Sequence, residues 1–363
     1  MSKKELKIFK TIKNMSKKKK IALSVVGVLL LAAISCGVYF GLFYEKDVET
    51  KKVEKKVEKK EEPKITIVDP DSKTRPYAVM INNVGVARPY QSGLQDAYMI
   101  YELIVEGGIT RYLALFKDAN VDRIGTIRSS RHYYLDYVLE NDAIYVHWGG
   151  SEFAYGDIGK LGINNVDGMT YGGKYFWKDK SLNVSTEHTA YSNTEKINAA
   201  VDKLKYRKET NKDLLLDYSA KSLDLSSYES AKDANYVEVV YSGSVKNTYE
   251  YDNENKVYKR SVNGKAHKDY VTKEQYTFKN ILVYQVENVA IAGDYKGRRN
   301  LNNVGKGEGY FISEGKAVEI TWEKSERGSQ TVYKYKDTGK DLVVNDGNTF
   351  IQIQPKGKSI TIS

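Results

Sequence analysis

Nine lysines crowd the first twenty residues, and an uncharged apolar run of 24 residues, Ile21 to Tyr44 (IALSVVGVLLLAAISCGVYFGLFY), follows them. At about 1.5 Å per helical residue, such a run is long enough to cross a hydrocarbon core of about 30 Å. Basic residues flanking a single apolar helix stay on the cytoplasmic side. The expectation is therefore a basic cytoplasmic tail over 1–20, a transmembrane anchor over 21–44 and a single-pass chain whose remainder is extracytoplasmic at the cell membrane.

Charge location narrows the partners. Of the net +10, residues 1–20 carry +8 (nine Lys, one Glu) and residues 45–64 carry +1 (eight Lys, seven acids). This leaves about +1 for everything from Ile65 onward. A basic tail beside a membrane is drawn to anionic lipid by about 1 kcal/mol per lysine. With the rest of the chain near neutral, a nucleic-acid partner has no electrostatic support. The only cysteine, Cys36, lies inside the apolar run, so the exterior part forms no disulfide and no thiolate metal site. Ala33-Ile34-Ser35-Cys36 loosely resembles a lipidation signal, which makes Cys36 the alternative attachment point. The apolar run continues for eight residues past it, and this favours the uncleaved anchor.

Residues 45–64 (EKDVETKKVEKKVEKKEEPK) are too charged for a core and read as a stalk. From 65 to about 215 strands and helices alternate. YAVMI (77–81), AYMIYELIVE (97–106), ITRYLALF (109–116) and DAIYVHW (142–148) read as strands, the second and third joined by a two-residue Gly107-Gly108 turn. Their apolar character on both faces calls for a covering layer on each side. Helices are expected from Ser129-Ser130 to about Glu140, over 152–160 and over 194–209. From 236 to 360 the texture is all-β, with turns at Asn263-Gly264, Glu314-Gly315, Thr338-Gly339 and Asp346-Gly347. It reads as a meander of hairpins forming a second domain or subdomain. The glycine-rich stretch 291–309 reads as a long irregular loop.

The stretches RPYAVMINNVGVARPY (75–90), YELIVEGGITRYLALF (101–116), IGTIRSSRHYY (124–134) and DAIYVHWGGSEFAY resemble the YerB-like family built from the DUF3048 domain. YDNENKVYKRSVNGKAH, VGKGEGYFISEGKAVEITWEK and DGNTFIQIQP resemble that family's C-terminal region. The resemblance covers about 65–360. It implies an α/β fold, a three-layer β-β-α sandwich followed by a β-rich C-terminal region, on a membrane-tethered lipoprotein-like chain with no established reaction. Against the family pattern, ARPYQSGL carries one extra residue. Lys178 stands where Arg is expected, and Glu187 and Thr189 flank His188 where Pro and Asn are expected.

Chemistry-bearing residues concentrate around Arg128-Ser-Ser-Arg131-His132. A strand-to-helix junction offers free N–H groups and partial positive charge, and arginines beside it add bidentate donors for phosphate or carboxylate. Arg111, after the Gly-Gly turn, is placed to converge there. The competing reading pairs Arg128 and Arg131 with Glu102, Glu106 or Asp136. His132 and Asp136 stand at i and i+4, and Glu102 and Glu106 are placed on one strand face. Ser151, after Gly149-Gly150 and near His147, reads first as a helix cap and only secondarily as a nucleophile. Asn82 and Asn83 complete the candidate ligand set. No H-E-x-x-H spacing supports a metal, no cofactor is expected, and no G-x-S-x-G elbow is present. Tyr133, Tyr155, Tyr171 and Trp148 are the rings expected near the groove.

The reading is a membrane-anchored extracytoplasmic binding or scaffolding module with an anion-binding groove, meeting a cell-wall polymer or another envelope protein. The alternative is an enzyme on a phosphorylated lipid-linked or cell-wall substrate, in which the arginines hold phosphates and Glu106 assists.

Overall fold

The computed structural model describes residues 2–49 and 63–363, with backbone alone for 40–49. Two bodies result, Met1–Glu62 and Pro63–Ser363. In the first, α1 (Lys3–Lys13) starts with a capping box in which Ser2 and Glu5 satisfy each other's backbone N–H groups. The second helix, α2 (Lys17–Glu49), holds within Lys17–Tyr39 an 18-residue window of mean hydropathy 2.6, in a span long enough to cross a bilayer. Cys36 lies on this helix and is exposed. The stalk assigned to 45–64 falls mostly outside the described residues; 45–49 continue α2.

In the second body the strands that matter here are β1 (Tyr77–Asn82), β2 (Met99–Ile104), β3 (Thr110–Phe116), β4 (Ile144–His147) and β5 (Asn165–Asp167). After them come β6 (Tyr236–Val240), β7 (Lys246–Asp252), β8 (Val257–Val262), β9 (Asn280–Val286), β10 (Gly305–Ser313), β11 (Lys316–Lys324) and β12 (Thr349–Pro355). Nine of them build an 11-stranded sheet in the order β11-β10-β9-β12-β2-β3-β1-β4-β5, with Lys232–Asp233 and Val332–Tyr335 pairing on β11. β6, β7 and β8 belong to a separate six-stranded sheet.

The C-terminal half does not stand apart as a meander. β12 runs parallel to both β2 and β9, and so joins strands from the two halves of the chain. Every residue of β2, β3 and β12 is buried, as strands covered on both faces require. Alternation along β2 sends Tyr101 to one side and Glu102 to the other. The Tyr101 hydroxyl donates to Glu140 at 2.6 Å, on α3 (Leu135–Glu140). Glu102 meets Arg260 of β8 at 2.9 Å. Helices thus cover one face and the second sheet the other, giving the three layers of a β-β-α sandwich.

Several local expectations are corrected. Ser129-Ser130 caps no helix: a 3-10 turn, His132–Tyr134, precedes α3, which is only six residues long. The β2–β3 connection is longer than a two-residue hairpin, because Val105 N–H already bonds Ile109 O and Glu106–Gly108 forms a 3-10 turn. Ser151 does cap α4 (Glu152–Lys160), accepting from Ala154 N–H at 3.1 Å. A helix not anticipated, α5 (Gly168–Tyr175), starts at the end of β5. The last helix, α6 (Thr194–Leu204), begins at the Asn193 cap and stops where Lys205 turns left-handed, short of 209. Within 291–309, Arg299–Leu301 pairs with Asn288–Ala290, so part of that loop is a hairpin.

Candidate functional site

β1, β4 and β5 run parallel, and their carboxyl ends carry Asn82, His147 and Asp167. Crevices in α/β sheets form outside such ends. Here the segment 127–131 is laid across them. Arg128 N–H bonds Met80 O at 2.9 Å, Trp148 N–H bonds Arg128 O at 3.1 Å, and Ser130 N–H bonds Gly149 O at 2.8 Å. Beside this segment opens a cleft of about 420 Å³, whose lining includes Arg128, Trp148, Tyr155, Met169, Lys178 and Glu187.

Asp167 ties together three of the cleft's lining residues. Its Oδ1 accepts from Gly149 N–H at 2.8 Å and Met169 N–H at 2.9 Å, and its Oδ2 from the Tyr155 hydroxyl at 2.7 Å. Gly149 takes φ +77°, a conformation that favours glycine. Trp148 packs closely against α5, where a Cβ on Gly168 would meet its ring at 2.4 Å. Lys178 Nζ sits 4.8 Å from the Trp148 ring centre.

Arg128 reaches Glu187, with Nη2 2.6 Å from Oε2. That ion pair lowers the Glu187 carboxyl below its ordinary range. Glu187 is 53 % exposed, so its hold on Arg128 is solvent-screened and weak, of order 0–1 kcal/mol. Nearby, Arg131 grips Glu106 through two bonds, 2.6 and 2.8 Å. Burial raises the Glu106 carboxyl, but Arg131 and Arg111 more than offset it and the net shift is downward. Arg111 donates to Ser129 O, and its buried Nε has no partner among the described residues. Burial, with Arg131 and Arg128 close by, pushes the Arg111 guanidinium down to about 10. Arg111, Arg128 and Arg131 do converge electrostatically, with Arg131 neutralised by Glu106.

The remaining candidates lie elsewhere. Glu102 is fully buried between the sheets, away from Glu106, which sits in the turn beyond β2. Its Oε2 accepts from Arg260, Asn247 and Gln352 at 2.8–3.0 Å, and its Oε1 from Thr110 at 2.6 Å. Asn83 donates to Thr110 at 2.7 Å and belongs to this network, while Asn82 pairs with His188 at 2.9 Å. His132 pairs with Asn300, and Asp136 does not orient it; Asp136 holds Arg327 at 2.6 Å and Asn303 at 3.0 Å. His147 bonds Gly149 O and Asn165, and burial lowers its basicity although those bonds and nearby Asp167 oppose the shift. His132, His147 and His188 therefore engage three different asparagines. With α3 so short and uncapped, no helix N-terminus supplies the anion site expected at Ser129-Ser130. Tyr133 is buried; Tyr155 is exposed in the cleft.

Two functional features escaped the sequence. Arg260 shares the inward face of β8 with Tyr258 and Val262, and that period-2 pattern was the available signal. Asp167, ending a three-residue strand, gave none.

The chain matches the "Protein of unknown function (DUF3048)" N-terminal domain over residues 65–207 and the C-terminal domain over 237–351. It is 30% identical over 297 residues to YerB of Bacillus subtilis (strain 168), a protein whose name marks it as a candidate lipoprotein; the alignment covers 80% of this chain and 85% of that one. The crystal structure of Bacillus subtilis YerB superposes with a TM-score of 0.68 at 29% identity, covering 79% of this chain and 94% of the other. The full three-layer body, with both of its halves, thus belongs to the DUF3048 family.

Proposed function

We propose that this protein is a membrane-tethered binding module, facing out of the cytoplasm, whose Arg128 cleft takes an anionic group of a cell-wall polymer or envelope protein. The apolar α2 and its lysine-rich flank support the tether and the orientation. One observation carries the binding reading: Arg128 lies in the cleft, and its acidic partner, Glu187, is exposed and displaceable. An incoming phosphate or carboxylate takes the bidentate donors that Glu187 now occupies. Trp148 and Tyr155 offer ring faces for the uncharged part of the ligand.

The test is cosedimentation of the full chain, in detergent, with an anionic cell-wall polymer. Wild type is retained, and Arg128→Gln weakens retention about tenfold. Equal retention of both proteins removes the cleft from the binding site. Protease added to intact cells checks the orientation: cleavage of the portion after the anchor is expected, and complete protection refutes it.

A further inference from the structure

A second cavity, of about 610 Å³, opens where the chain segment after β1 faces the turn after β8. It lies against the buried network and shares no lining residue with the Arg128 cleft. Its charged lining is one-sided: Arg88, Lys265, Lys268 and Lys273 against Asp269.

Asp269 forms no ion pair with them among the described residues, since both of its oxygens are taken by neutral donors. Its Oδ2 accepts from Gly93 N–H and the Tyr276 hydroxyl, both at 2.8 Å. Its Oδ1 accepts from Val271 N–H at 2.7 Å and Thr272 N–H at 3.1 Å. Among the described residues none of the four cations forms an ion pair, whereas the arginines of the first cleft's neighbourhood, Arg128 and Arg131, both do.

Arg88 is held in place rather than free to swing away. Its Nε donates to Asn83 Oδ1 at 2.9 Å and its Nη2 to Asn83 O at 3.0 Å, which leaves Nη1. The floor is His267, fully buried. Its Nδ1 lies 2.7 Å from Arg260 Nη1, and an arginine can only donate. Nδ1 is therefore the acceptor, the proton sits on Nε2, and Nε2–H donates to Gln91 Oε1. The floor is thus uncharged, and the four cations outnumber the cavity's one carboxylate, Asp269.

We propose that this cavity is a second anion site, one that takes a ligand carrying two or more phosphate groups on Arg88, Lys265, Lys268 and Lys273. Fixed guanidinium geometry suits one phosphate, and three mobile ammonium groups suit the others as point charges. The volume is that of a small-molecule site. The same chemistry is offered by a soluble polyphosphorylated solute and by phosphate groups crowded on a lipid surface.

The experiment uses the full chain in phosphatidylcholine nanodiscs at about 0.15 M salt, where the Debye length is about 8 Å and diffuse attraction is screened. Sodium tripolyphosphate is titrated in by calorimetry, and flotation with phosphatidic acid vesicles forms the second arm. Saturable binding of one tripolyphosphate per chain identifies a soluble ligand class; binding of vesicles alone identifies a surface one. In either arm Lys268→Glu/Lys273→Glu weakens binding tenfold or more, while the charge-matched Lys203→Glu/Lys221→Glu leaves it unchanged. All four lysines are exposed, so the variants fold, and thermal melting verifies this. No binding in either arm overturns the site, as does an equal loss in both double variants.

Discussion

Glu102 and Arg260 meet at 2.9 Å across the two sheets, each with no exposed side-chain surface. The pair connects β2 from the first half of the chain to β8 from the second. Asn247, Gln352 and Thr110 complete the carboxylate's shell, while Arg260 also reaches Tyr249 at 3.2 Å and Asn247 at 2.9 Å. Removing one partner of such a pair strands a buried charge, which costs about 3–5 kcal/mol.

Arg260→Met is therefore expected to destabilise residues 63–363 by about 3–5 kcal/mol in urea unfolding. The double variant Glu102→Gln/Arg260→Met is expected to lose less than the sum of the single variants, because neither then carries an unpaired charge. Additive losses would show that the two side chains are not coupled.

Gly168→Ala places a methyl group against the Trp148 ring, which must move. Overpacking of this kind costs about 1–3 kcal/mol. Tryptophan emission should shift with it, since Trp148 is one of three tryptophans and lines the cleft. Unchanged emission and melting temperature would contradict the tight contact.

Glu187→Gln frees Arg128 of its competitor. Anionic polymer binding is expected to strengthen about fivefold, corresponding to about 1 kcal/mol for a screened pair. Stability should change by less than about 0.5 kcal/mol at so exposed a position. Weaker binding in this variant would mean that Glu187 itself touches the ligand.

His267 titrates well below its ordinary range through burial first and then the charges of Arg260 and Arg88. Its folded-state proton affinity is depressed, so below about pH 6.5 the unfolded chain takes up a proton that the folded chain refuses. Stability then falls as pH drops, by up to about 1.4 kcal/mol per unit for that one proton. Buried His147 acts in the same direction, through burial. Glu106, whose carboxyl is lowered, adds stability above its unfolded value that is lost on further acidification. Urea unfolding between pH 7 and pH 5 should show the decline, and His267→Gln should flatten it; an equal slope in the variant would rule out His267 as a source.

Local signals were legible where they depend on neighbours in sequence. Ser151 announced the start of α4, since an N-cap acts within three residues. The apolar continuity of 99–104 and 110–116 announced strands covered on both faces. Ser129-Ser130 misled, because the segment docks on its neighbours instead of starting a helix: Arg128 N–H bonds Met80 O of β1 and Ser130 N–H bonds Gly149 O just beyond β4. The arginines were found, yet their partners were not: Arg128 reaches Glu187, 59 residues away, and Glu102 reaches Arg260, 158 residues away.

The apolar run, the charged segments that flank it, the family motifs and the strand-rich texture were set by the sequence itself, because periodicity and composition act over a few residues. Tertiary structure decided that β12 joins both halves in one sheet, that Glu102 serves the inter-sheet network instead of the groove, and that Arg88 and three lysines face one cavity against a single acid, Asp269. Those outcomes depend on pairing between distant strands, which no local pattern encodes.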